Sequence, residues 1–315
     1  MTLDAMTVLL AVGALSAAVV VTLVFWVSPR ATMVIWTVVL FFVPVWIGAN
    51  IGIFWAAITV VTLLAVIVHG RGLRPNAIDA FVLVFIVLTT ALLGLGLVGL
   101  SPYVVALLDW LLPYIWERII LHLVPKQFVV QCIALAAVIA ATLALVEYTT
   151  GTNFFVLLPG SGVNHATWST LQVRAGFVRV EGALGHSIAL GAVLAMSSAF
   201  VLGAPWRTFF KVVALVVLGL ATTLTLSRIG LMTFALTVGL SLLFLRDIKT
   251  RTRVIVGVGL VIAVLAVVPF IADVLLSAGD EAGGSADYRT DLMVLLGQVQ
   301  WLGGAGNWES LIVGD

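Results

Sequence analysis

The residues able to do chemistry fall into three stretches, all in the second half of the chain. The first is Arg174-Ala-Gly-Phe-Val-Arg179-Val-Glu181-Gly-Ala-Leu-Gly185-His186-Ser187. Two arginines, a carboxylate and an imidazole stand together just ahead of a long apolar run. A guanidinium can hold two phosphate oxygens at once, and the free N–H groups of a helix beginning near Ser187 add partial positive charge. Anion binding is therefore the chemistry this stretch suits, with Glu181 and His186 as candidate catalytic proton carriers. The competing reading is structural: loop charges pair with one another, and His186 or Ser187 merely lies near the helix cap.

The second stretch is Thr222-Thr-Leu-Thr-Leu-Ser227-Arg228-Ile-Gly230. Ser227 is a plausible N-cap for a helix whose first residue is Arg228. A cation at that end opposes the helix dipole, and a bound anion would remove the conflict. A snorkelling arginine paired with an acid such as Glu181 is the alternative. The third stretch holds Asp287-Tyr-Arg289-Thr-Asp291, a short apolar segment, and Gly303-Gly-Ala-Gly306-Asn307-Trp308. Arg289 sits between two aspartates, so local ion pairing is its stronger reading, and the glycines read most simply as a turn.

Other ionisable residues offer less. Glu147 falls at the end of an apolar run and Asp109 interrupts one; a carboxylate at either place is a candidate proton or ion site. His69 and His122 read as interfacial residues, and His165 has no second ligand at metal spacing. No metal motif and no cofactor fingerprint is expected; Gly94-Leu-Gly96-Leu-Val-Gly99 lacks the strand–helix setting a dinucleotide site needs. Cys132 is the one cysteine, so an intramolecular disulfide is excluded.

These residues must be positioned by an unusually apolar chain. Hydrophobic types make up 63% of the 315 residues and charged types 9%, too few polar groups to clothe a water-soluble domain of this size. The long uninterrupted apolar runs predict helices rather than a membrane barrel. The expected fold class is an all-α polytopic transmembrane bundle of about ten spans, at 6–27, 31–48, 51–69, 78–100, 103–121, 127–147, 187–203, 208–226, 228–245 and 253–272. Asp109, Pro113, Glu117 and Arg118 interrupt 103–121. Only the Gly48–Asn50 turn joins 31–48 to 51–69, so either member of that pair could be tilted or re-entrant. The expected organisation is a single membrane domain. It comprises N-terminal spans over 1–147, an outer loop over 148–186 between spans six and seven, C-terminal spans over 187–272, and the start of a second outer loop over 273–315.

If all ten segments cross, eleven of the fifteen cations, including all three lysines, fall on one face, which the positive-inside rule makes cytoplasmic. The outer face then carries Arg174, Arg179, Arg228 and Arg289. The expected location is the cytoplasmic (inner) membrane, multi-pass, with the site on its outer face and membrane lipids as neighbours. The net charge of +1 suggests no nucleic-acid partner.

Several of these motifs, in this order, resemble those of the O-antigen ligase and O-antigen polymerase superfamily of bacterial surface-polysaccharide membrane glycosyltransferases. The resemblance rests on Glu147-Tyr-Thr-Thr-Gly151-Thr-Asn-Phe, Arg179-Val-Glu-Gly182 leading to Gly185-His186-Ser187, Leu226-Ser227-Arg228-Ile-Gly230, and Tyr288-Arg289 followed by Gly303-Gly-Ala-Gly306-Asn307. It implies transfer of a glycan from a polyprenyl-diphosphate carrier to an acceptor hydroxyl on a glycan or lipid, without nucleotide sugar, metal or other cofactor. Arg179 and Arg228, with Arg174 and Arg289 as further candidates, would then bind the substrate diphosphate. The family continues through a longer outer loop bearing a functional histidine, whereas this chain stops at Asp315, so the resemblance implies a fragment or a truncated member, which could be inactive as it stands. His186 and Glu181 do not match that histidine. The rival classes are a membrane transporter of a lipid-linked glycan or small solute, and a non-catalytic component of an envelope assembly.

Overall fold

The computed structural model describes residues 5–73, 75–158, 160, 162–174, 176–246 and 248–277, together with Thr290 and Met293. Arg289, the glycine-rich 303–308 stretch and nearly all of the expected second outer loop lie outside these residues.

The described chain is mostly helical. In order it comprises α1 (Ala5–Val27), α2 (Pro29–Phe42), a hairpin of β1 (Gly48–Ile51) and β2 (Ile53–Ala56), α3 (Ala57–His69), α4 (Ala77–Gly94) and α5 (Leu100–Val105). Then come α6 (Leu112–Leu123), α7 (Lys126–Thr150), α8 (Gly162–Trp168), two-residue strands β3 (Val173–Arg174) and β4 (Phe177–Val178), α9 (Ser187–Gly203), α10 (Thr208–Leu224), α11 (Arg228–Phe244) and α12 (Thr250–Ser277). The chain divides into two units, one of residues 1–73 with 116–264 and one of 74–115 with 265–315.

The first unit is built around α7, α9, α10 and α11, with α2 against α7 and α12 joining the core through Val256. Ala134, Ala137, Ala141 and Ala144 form a buried small-residue stripe down α7, which lets neighbouring helices approach closely. Leu194, Val201 and Leu202 of α9, Leu218 and Ala221 of α10, and Val238 of α11 complete the core. The tightest crossing joins α9 to α11: a methyl group built on Gly230 would stand 3.1 Å from the Gly191 Cα. A methyl group built on Gly191 would instead press on the Thr225 hydroxyl, at 2.9 Å. Outward, the same helices carry Phe209, Phe210, Met232, Leu236, Leu243 and Phe244, all exposed.

The second unit contains α4, whose start is fixed by a capping box. Asn76 accepts the Ile78 and Asp79 amides and Asp79 accepts the Asn76 amide in return. No residue of α4 is buried, although its mean hydropathy is 2.4.

By length and composition, two helices among the described residues are long and apolar enough to cross a membrane, Ala77–Gly94 and Lys126–Thr150. Helices α9, α10 and α11 have 17 residues each. That is about 26 Å, at the lower edge of a spanning length.

Several expected segments differ from the helices found. The pair 31–48 and 51–69 is not two long helices: α2 stops at Phe42 and α3 starts at Ala57, with 43–56 folded as a turn and an antiparallel hairpin. Gly52 at the hairpin tip has φ +72°, a left-handed conformation suited to glycine. Ile51, Ile53, Phe54 and Trp55 are apolar and bulky, so hydropathy reads them as span while their shape suits strand equally. The interrupted segment 103–121 is helical from Leu100 to Leu123 through a π-turn at Ala106–Leu111. There the Leu112 N–H reaches back to the Leu107 carbonyl. Pro113 has no N–H and crowds the carbonyl four residues earlier, so a widened turn next to it relieves the clash. Helix α12 runs to Ser277, past the expected end at 272.

Candidate functional site

The described residues of the expected outer loop, 148–186, form short elements laid over the ends of the first unit's helices. Helix α7 ends at Thr150 with Gly151 in the left-handed conformation at φ +64°, and a 3-10 turn follows at Phe154–Leu157. After α8, the β3–β4 hairpin brings the chain back through Arg179 to a buried segment, Arg179–Ala183. Helix α9 then begins.

Glu147, in the last turn of α7, anchors this segment. Its Oε1 accepts the Glu181 N–H at 3.0 Å and its Oε2 accepts the Gly182 N–H at 3.0 Å. Both oxygens are thus engaged by consecutive amides, an arrangement in which the carboxylate occupies a backbone anion nest. Asn153 holds the same turn from the other side: its Nδ2 donates to Gly182 O at 3.1 Å and its Oδ1 accepts the Phe155 N–H at 2.9 Å. Gly182 has φ +56°, which lets the chain turn so that its carbonyl and amide serve two partners.

Arg179 is buried at 8% exposure. Its Nε donates to Thr225 O at 2.8 Å and its Nη1 to Gln172 Oε1 at 3.4 Å. Thr225 is the C-cap of α10, so the guanidinium lies at the negative end of that helix. Its backbone N–H donates to Gln172 O at 2.9 Å.

Glu181 is 1% exposed. Its Oε1 accepts the Gln172 N–H at 2.8 Å, and Oε2 is buried with no hydrogen-bond donor among the described residues. Burial pushes its carboxyl up to about 7; the neighbouring Glu147 charge adds to the rise, while the Gln172 amide and the Arg179 charge oppose it.

Two helices begin at this end. His186 is the N-cap of α9: its Nδ1 accepts the Ile188 N–H at 3.1 Å. That bond requires an unprotonated Nδ1, and burial together with the Arg179 charge lowers the imidazole pKa. Ser187 Oγ donates to Gln172 Oε1 at 2.8 Å. Helix α11 begins after a sharp turn in which Leu226 has φ +49°, a conformation disfavoured for a branched side chain. Ser227 caps it by accepting the Gly230 N–H at 3.1 Å, and Arg228 is its first residue, half-buried. Because Gly191 and Gly230 touch, the starts of α9 and α11 lie side by side. Two positive dipole ends are thus adjacent.

The structure therefore brings Arg179, Glu181 and His186 into one cluster, and attaches Arg179 to the carbonyl three residues ahead of Arg228. Arg174 stands in β3, paired with Phe177, and Arg289 lies outside the described residues. His186 takes the capping place that the structural reading of its stretch allowed. Glu147 is a clamp on the loop. Gln172 escaped the sequence reading altogether: it is a neutral loop residue in no motif, and three of its atoms gain four hydrogen bonds only when the chain folds. Among the described residues no group of histidine, cysteine and carboxylate side chains could hold a metal ion.

No family model, no curated protein and no solved structure matches this chain. The site must be read from its own chemistry.

Proposed function

We propose that the chain is a multi-pass protein of the cytoplasmic membrane, of about ten spans, acting as a glycosyltransferase at its outer face. It moves a glycan from a polyprenyl-diphosphate carrier to an acceptor hydroxyl. The exposed apolar faces of α4, α10 and α11 support the membrane setting. The segregation of all three lysines to the end opposite the 148–186 loop supports the orientation.

The observation that carries the reading is the placement of Arg179: a buried guanidinium bonded to Thr225 O, beside the starts of α9 and α11 and three residues ahead of Arg228. When the bond from the anomeric carbon to the diphosphate breaks, negative charge grows on the leaving oxygens. Arginines and helix N-termini fixed in advance stabilise that charge without reorganising. The acceptor hydroxyl attacks the anomeric carbon, its proton passes to a base, and the polyprenyl diphosphate departs with the bonding electrons.

The test is glycan transfer in vesicles supplied with a polyprenyl-diphosphate oligosaccharide and an acceptor. Arg179→Ala and Arg228→Ala are each expected to lower the rate by roughly a hundredfold or more, with membrane insertion unchanged. Arg228→Lys is expected to be impaired as well, since lysine cannot form the two-pronged grip. Normal transfer by both alanine variants overturns the diphosphate role.

A further inference from the structure

Gln172 has more partners at this end of the molecule than any motif would suggest. Its main-chain N–H donates to Glu181 Oε1, and its main-chain oxygen accepts the Arg179 N–H. Its side-chain oxygen accepts from both Arg179 Nη1 and Ser187 Oγ. The orientation of that amide follows from chemistry: a guanidinium has donors only, so the atom facing it must be Oε1, and Ser187 must then donate.

We propose that Gln172 is a positioning residue, whose side-chain oxygen holds the Arg179 guanidinium against the start of α9 in the attitude that receives a diphosphate. This rests on the diphosphate reading above. Thr225 O and Gln172 Oε1 fix the guanidinium at two points, Nε and Nη1, and with the side chain's own Cδ as the third these define its plane. Both oxygens are neutral. A neutral acceptor orients a cation without adding a negative charge of its own, whereas a carboxylate in the same place would compete with a ligand for the guanidinium. The neighbouring Glu181 bonds the residue 172 amide through Oε1, and its carboxyl, raised to about 7, is partly protonated near neutrality.

Two substitutions separate orientation from mere support. Gln172→Glu keeps length and acceptor but adds charge; Gln172→Met keeps length and neutrality but removes the acceptor. Each full-length protein, purified in detergent, is titrated with polyprenyl diphosphate and with inorganic pyrophosphate, and its melting temperature is recorded.

Positioning predicts opposite orders. Gln172→Glu should melt close to wild type yet bind both probes about tenfold more weakly, its new carboxylate competing for Arg179. Gln172→Met should melt lower yet bind only about threefold more weakly, because the charge survives but its aim is lost. If the affinities of the three proteins simply follow their melting temperatures, Gln172 is only structural and the inference is overturned. If Arg179→Ala abolishes binding while both residue 172 variants bind like wild type, the inference falls and the diphosphate reading stands. If wild type binds neither probe, both fall together.

Discussion

The two ends of the first unit handle positive charge in different ways. At the end away from the 148–186 loop, cations are numerous and simply placed. Lys211 Nζ donates to Leu202 O in the last turn of α9, Arg253 Nη2 donates to Leu245 O at the end of α11, and Arg30 lies 5.9 Å over the Phe128 ring. Each meets a helix-end carbonyl or a ring. At the loop end the cations are fewer, but Arg179 stands in a network with Gln172, Thr225, Ser187 and two carboxyl groups. Both buried carboxyl groups among the described residues, Glu147 and Glu181, are at this end. Counting charges alone would select the other end. What separates the two is that the loop end buries cation and carboxyl together, while the other end uses cations to finish helices.

The comparison breaks first if Glu147 proves dispensable. Glu147→Ala leaves the Glu181 and Gly182 amides buried without their acceptor, and should cost about 3 kcal/mol or more, read as a fall in melting temperature in detergent. The α9–α11 crossing comes next. Gly230→Ala pushes a methyl group to 3.1 Å from Gly191 Cα and should cost about 1–3 kcal/mol. Gly239→Ala, on the same helix and facing open space, should be neutral or stabilising by up to about 1 kcal/mol. Equal melting of the two would mean the crossing is looser than described.

Lys211→Met probes the other end. It should cost about 1 kcal/mol through the lost bond to Leu202 O and leave diphosphate binding unchanged. A weakened diphosphate affinity would erase the distinction between the ends.

The smallest effects are pH dependences. Glu181 binds its proton more tightly folded, at about 7, than at its ordinary 4.5. Its contribution to stability is therefore present below about pH 4.5 and is lost as pH rises to about 7. Glu181→Gln should remove that downward slope in melting temperature against pH. His186 has the opposite sign: with its folded pKa lowered below 6.5, its contribution is present above pH 6.5 and lost as pH falls through the folded value. His186→Asn, a neutral N-cap, should keep the helix start and remove that acid sensitivity.

Hydropathy and local signals in the sequence were enough to locate most of the helices. Helix α9 begins and ends at the expected Ser187 and Gly203, α11 begins at Arg228, and α7 extends the expected 127–147 segment by one residue before it and three after. Caps and apolar period act over a few residues, so they can be read from neighbours in the chain. The hairpin over Gly48–Ala56 was hidden because bulky apolar residues suit a strand and a span alike, and the π-turn because a proline only announces a disturbance.

The sequence by itself determined a predominantly helical, strongly apolar chain and the types of the residues gathered before α9 and α11. The tertiary structure decided their roles: His186 as a cap, Glu147 as a clamp, Arg179 as a buried cation held by Thr225, and Gln172 as the hub between them. Each role depends on an atom between two and 46 residues away, and most on a distant one. A hydrogen bond is a property of two atoms in space, and the one-dimensional order of the chain carries little information about pairs so far apart.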